Sequence, residues 1–227
     1  MVIVSPDLIR RFFSNPLVER GFTLLEQDEE VQTLLRMANV MAVKRLNYND
    51  HGPVHSRIVA GSALEIFRLV REKAGSTIVR DGIGDLQDAE IIVMMGAYLH
   101  DIGNALHRAS HPLHGVILAK PILDRLLPEI YADAGKTKRE IYRIRQEILH
   151  VIYAHDDEIQ ALTVEAGAVK VGDGTDMAGG RARVPYRYGR GSIHAFSALA
   201  IERVRIEPGK RRPVRIIVEA KNPAGIF

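Results

Sequence analysis

The stretch Gly96–Gly115, GAYLHDIGNALHRASHPLHG, sets four histidines and one aspartate within fifteen positions, directly behind the apolar run IIVMMGAYL. Imidazole nitrogens and carboxylate oxygens bind divalent cations, and a carboxylate beside such a cation can also receive a proton. Further candidates stand far off in the chain: His51 and His55 in NDHGPVHS, His155 in IYAHD, and Asp173 and Asp176 in VGDGTD. His55, the pair His100-Asp101, His155 and Asp173 each fall where helical periodicity points inward. Burying even one unpartnered polar group costs about 2–7 kcal/mol, so several together call for a shared cation. For any single histidine the competing reading is a hydrogen-bonded core or capping residue, and His150 and His194 are read that way. Neighbours on a helix point about 100° apart, so His100 and Asp101 converge on one ion only where their helix ends. Gly103 is read as that ending.

These groups need helices to position them, and the chain is patterned accordingly. DEEVQTLLRMANVMAVKRL places Val31, Leu34, Leu35, Ala38, Met41 and Ala42 on one face, and VHSRIVAGSALEIFRLVREK does the same with Val59, Ala63, Ile66, Phe67 and Val70. DAEIIVMMGAYLH is apolar on all sides, as befits a central helix. Between them AGSTIVRDGIGDLQD reads as a loop. VILAKPILDRLL continues helically, with Pro121 as a kink or a new start. TKREIYRIRQEILHVIYAH opens on Thr137 and Glu140 in capping-box spacing and carries His155 to its inner end. LTVEAGAVKVGDGTDMAGG is read as one more helix. Beyond Gly179 an arginine- and glycine-rich loop leads to RVRIEPGKRRPVRIIVEA, two β-branched runs around Pro208-Gly209 that predict a hairpin.

Composition narrows the function classes. With 227 residues, 46% of them hydrophobic and 26% charged, the chain is long enough for one sizeable core. No cysteine is present, which excludes a disulfide framework, a thiolate nucleophile and a cysteine-bound metal. The longest apolar run, Ile91 to Leu99, is too short to span a bilayer, which needs about 20 residues. A soluble cytoplasmic protein without membrane partners is expected. Residues 1–169 hold 19 basic against 23 acidic side chains and residues 170–227 hold 12 against 5, so the basic excess is C-terminal.

The order His55, His100-Asp101, Asp173, carried by HSRIVAGSA, LHDIGN and VGDGTD, resembles the HD-domain superfamily of metal-dependent phosphohydrolases over roughly residues 30 to 180. The resemblance implies an all-α bundle holding one or two divalent metals and cleaving phosphate esters or anhydrides, commonly of nucleotides. It assigns His55, His100, Asp101 and Asp173 to a first metal. It assigns His111 and His155 to a second, with Asp101 bridging and His114 as the rival to His111. Asn104 stands where many members have lysine after HDIG. An all-nitrogen-and-oxygen donor set suits Mn, Fe, Co, Ni or Zn, with Mg also possible.

The expected organisation is a helical metal-binding domain over 1–190 and an extension with a helix and a β-hairpin over 191–227, with a homodimer as a possible assembly. The expected activity is metal-dependent hydrolysis of a phosphorylated, nucleotide-like small molecule, with Asp101 catalytic. The alternative is a non-catalytic, metal-stabilised module binding nucleotide or RNA. No stacking aromatics accompany the basic segment, so nucleic acid is not the expected partner. Asp176 reads equally as a partner of a metal ligand or as a surface carboxylate. His51, Arg181, Arg183 and Arg187 are candidates for phosphate contact, as is His107; turn, capping or solvent-facing roles compete with each.

Overall fold

The computed structural model describes residues 1–177 and 200–222. A short strand, β1 (Val2–Ile3), precedes the helices α1 (Pro16–Gln27), α2 (Glu29–Asn39), α3 (Pro53–Ala74), α4 (Thr77–Arg80), α5 (Leu86–Leu99), α6 (His111–Ile130), α7 (Lys138–Tyr153) and α8 (Val164–Asp173), and the strands β2 (Ile201–Pro208) and β3 (Val214–Ala220) follow. The architecture is the expected helical bundle with a small C-terminal hairpin. No helix among the described residues is long and apolar enough to cross a membrane.

Helix starts follow side-chain chemistry. Asn15, Asp28 and Thr163 each accept a backbone N–H of the first turn that follows them, and Pro16 and Pro53 occupy first helical positions that need no N–H donor. Thr137 and Glu140 close the capping box read from the sequence, and Asp85 with Asp88 forms a second one at α5. Helix α5 is apolar all round because it is the axis of the bundle. Every residue from Ile91 to Leu99 is buried, packed among α1, α3, α7 and α8.

Helix α8 lies against α3 more closely than any Cβ would permit at Gly172. A methyl group there would stand 2.9 Å from the Ala63 nitrogen and 3.0 Å from its Cα. That contact delivers Asp173, the next residue, to the N-terminal half of α3.

Three local expectations are corrected. The stretch AGSTIVRDGIGDLQD is not wholly a loop, since Ser76 caps the short helix α4. Pro121 does not start a new helix. It sits exposed inside one helix that runs on to Ile130, together with Pro128. Burial of Ile122, Leu123, Leu126 and Leu127 on the opposite side offsets the lost hydrogen bond, which costs about 3 kcal/mol. Gly103 does not terminate α5, which ends at Leu99, with a separate 3-10 turn over Ile102–Ala105.

The hairpin gains a third strand that periodicity did not reveal. β1 pairs antiparallel with β2 (Val2 opposite Ile206, Ile3 opposite Arg205), and β2 pairs antiparallel with β3. Val2, Val204 and Ile206 are buried, and β2 packs on α3, so the sheet is fastened to the helix that carries His55. The expected helix before the hairpin, the expected loop with Arg181, Arg183 and Arg187, and His194 lie outside the described residues.

Candidate metal centre

Four helix ends supply the site. His55 stands in the first turn of α3, His100 caps the C-terminus of α5 with Asp101 beside it, His111 begins α6, and His155 follows the last turn of α7. All five side chains are buried. Asp173 closes α8, with its side chain 29% exposed, so the cluster has one accessible flank.

The two oxygens of Asp101 face different groups. Oδ2 lies 3.4 Å from His55 Nε2 and 3.3 Å from His100 Nε2, and His55 Nε2 is 3.2 Å from Asp173 Oδ1. Oδ1 turns the other way, 3.6 Å from His111 Nε2 and 3.9 Å from His155 Nε2. The residues singled out in the sequence as a possible ligand set are thus brought together, and His111 rather than His114 is the ring that meets His155 and Asp101.

Their hydrogen bonds decide which nitrogen points inward. His100 Nδ1 donates to the Ala97 carbonyl (2.7 Å), His155 Nδ1 to Ile152 (2.6 Å) and His111 Nδ1 to Arg108 (3.1 Å). His55 Nδ1 donates to Asp176 Oδ2 at 2.8 Å. In the neutral tautomers so fixed, every Nε2 presents a lone pair to the cluster. His111 and His155 Nε2 stand 3.1 Å apart, and His55 and His100 Nε2 3.3 Å apart. Lone pairs at that separation repel unless a positive group meets them, and two ligand bonds of about 2.0–2.2 Å span such gaps.

Electrostatics point the same way. Burial pushes His111 down to about 4, against the pull of Asp101, and burial together with the neighbouring His100 lowers His155. Burial alone would raise the Asp101 carboxyl, but His100 and His51 beside it hold it well below the usual carboxylate range. Anionic Asp101 beside the His111 and His155 rings, whose pKa values are lowered, with the side chains of Asp173 and Asp176 adjoining, makes a buried acceptor-rich cluster. Its donor set fits divalent cations.

Several contacts went beyond the sequence reading. His51, a candidate there for phosphate contact, is buried, and its Nδ1 donates to Asp101 Oδ2 at 2.7 Å. Asn39 places it, accepting the His51 backbone N–H at 2.7 Å and bonding Asp50 at 3.2 Å. Asn104 donates to Asp101 Oδ1 at 2.7 Å. Asp176, for which a surface role competed, is buried on His55.

Arg108 was missed. Its Nη1 is 3.2 Å from His111 Nε2 and 3.8 Å from Asp101 Oδ1, and its guanidinium lies over the Tyr48 ring. With its side chain 34% exposed it supplies a positive group at the open side of the second ring pair. The one signal for it was a basic residue four positions after Asn104. His107 forms a local turn, accepting the Ala109 N–H, and His150 accepts the Leu162 N–H, as a structural histidine should.

A cavity of about 420 Å³ adjoins the cluster between α3 and the sheet. Ile3, Val54, Ile58 and Val204 contribute apolar lining, and His55, Asp176, Asp50, Glu202 and Arg203 contribute polar lining.

A family model described as the HD domain matches residues 54–178, a span that holds His55, both members of the His100-Asp101 pair, His111, His155 and Asp173. An uncharacterized protein of Methanocaldococcus jannaschii is 43% identical over 204 residues, covering 89% of this chain and 77% of the relative. No solved structure matches the chain.

Proposed function

This chain belongs to the HD-domain family, and from that premise we propose that it is a metal-dependent phosphohydrolase, cleaving a phosphate ester or anhydride of a nucleotide-like small molecule in a cytoplasmic setting. The supporting observation is the two-sided disposition of Asp101, with one oxygen toward His55 and His100 and the other toward His111 and His155. His55, His100, Asp101 and Asp173 would hold one divalent cation, and His111 and His155 a second, with Asp101 shared. Bound there, such cations lower the pKa of water toward neutrality and offset charge developing on the phosphoryl oxygens.

The remaining chemistry falls to the chain. Asp176 keeps the His55 proton on Nδ1, and His51 and Asn104 hold Asp101 in one orientation. A carboxylate held at low pKa suits cation binding better than storing a proton. Arg108 is positioned to grip a phosphate oxygen, in place of the lysine expected after HDIG. The apolar cavity would receive a base or a similar flat moiety, its size falling in the range of small-molecule sites.

The test is metal analysis of the purified protein beside a panel of nucleotides assayed with added manganese. Turnover should vanish in chelator and return with metal. Full activity in a metal-free preparation, or no hydrolysis of any phosphate ester with any of the metals named, defeats the reading. On the same preparations, His111→Ala should reduce bound metal from about two ions per chain to about one, whereas His114→Ala should leave it unchanged. Equal loss in both variants would remove His111 from the ligand set.

A further inference from the structure

We propose that a second copy of this chain pairs, antiparallel and edge to edge, with the outer side of β3, about a two-fold axis through Ile217. The strand order β1-β2-β3 leaves β3 at a sheet edge, and among the described residues no strand lies beyond it. Exposed edges are ordinarily blunted by proline, lysine, bulges or short length, because their unpaired N–H and C=O groups invite another strand. β3 itself holds no proline, lysine or bulge, and its two charges, Arg215 and Glu219, are of opposite sign. It runs seven residues, VRIIVEA, and the irregularity in the ladder falls at Ile201/Arg203, near its far end. Ile216 and Ile217 are half-buried and Val218 is 40% exposed, so apolar side chains stand at this edge with part of their surface in water.

What picks out a second copy as the occupant is the symmetry of the strand. With Ile217 opposite its own counterpart, Ile216 faces Val218, and Arg215 faces Glu219, twice over. The alternation of charge already present within one copy then continues across the junction. Glu207 is opposite Arg215 and bonded to it at 3.1 Å, while Glu219 is opposite Arg203 and ion-paired with Arg205 at 2.6 Å. Across four strands the sequence of charges becomes Glu207, Arg215, then Glu219 and Arg203 of the second copy. A two-fold pairing can shift only so that another residue meets itself. Centred on Ile216 it would set Glu219 against Pro213, and centred on Val218 it would set Arg215 against Lys221, which repel. Only the register at Ile217 satisfies both the charges and the apolar contacts. The pairing does not depend on the catalytic proposal, since none of these residues touches the metal centre.

Sedimentation velocity on the 227-residue chain should show a dimer. Ile217→Lys should sediment as a monomer with an unchanged far-UV spectrum. Arg215→Glu and Glu219→Arg should each weaken the dimer by about tenfold or more, because like charges then face each other. The double variant should recover it. Within one copy the double variant sets like charges against both Glu207 and Arg205, so recovery can only come from contacts across copies. The chain lacks cysteine, so Ile217→Cys should form a disulfide-linked dimer on mild oxidation, whereas Ala220→Cys, far from its own counterpart in this register, should not. A wild-type monomer at every concentration, a dimer that survives Ile217→Lys, no recovery in the double variant, or equal cross-linking at both cysteine positions would each overturn the proposal.

Discussion

Asp101→Ala should eliminate phosphohydrolase turnover, by at least about 10³-fold, the scale seen when one member of a catalytic unit is removed. The carboxylate is the acceptor for His51 at 2.7 Å and Asn104 at 2.7 Å, and it lies between the two pairs of rings. Its loss would remove the proposed shared ligand and free two neighbouring side chains at once. The fold should survive, because Asp101 stands beyond the last residue of α5 and outside the apolar cluster that packs the bundle. Asp101→Asn keeps the volume and removes the charge, so it should behave alike in turnover and in bound metal while its circular dichroism stays native. Turnover within a few-fold of wild type in either variant would rule out the proposed chemistry.

The second large effect concerns backbone packing. At Gly103 an added Cβ would overlap the His111 carbonyl oxygen and come within 2.5 Å of the Gly115 nitrogen. Both obstacles are main chain of α6 and cannot swing aside, unlike the side chains that crowd Gly21, Gly84 and Gly96. Gly103→Ala should therefore cost about 3 kcal/mol or more, at the upper end of overpacking effects, and lower the melting temperature by roughly 6–12 °C. The displacement falls between the His100-Asp101 turn and His111, so bound metal should decrease as well. Gly167 provides the control, since it lies within α8 with open space where a Cβ would go. Gly167→Ala should stabilise by about 0.4–1 kcal/mol. Thermal melts of the two variants decide the matter: if Gly103→Ala melts with the wild type, the close approach of the turn to α6 is not the constraint described.

The sequence by itself determined five of the helices, the hairpin and the inventory of candidate ligands. Helical periodicity is a local property, repeated every turn, so α2, α3, α5, α7 and α8 could be read from it, and the Thr137/Glu140 box is complete within four residues. The all-round apolarity of α5 located the bundle axis, and polar residues at its end made the case for a cation before any geometry was known. Resemblance of three short motifs then singled out the ligand set.

Tertiary structure alone decided contacts whose partners are distant in the chain. His51 carries no periodic signal, and the Asn39 contact, twelve residues back, helps turn it onto Asp101. His111 and His114 differ by less than one helical turn, and the packing of α6 against the His100-Asp101 turn and α7 selects between them. β1 is two residues long and meets a partner about 200 positions away, a pairing with no local signature. Gly103 looked like a helix terminator because glycine often ends helices, yet its role is to let two backbones touch. Arg108 gained its place from the fold, which set a guanidinium over Tyr48 and within reach of His111. In each case the energy resides in a contact between segments, and sequence distance conceals it until the chain is packed.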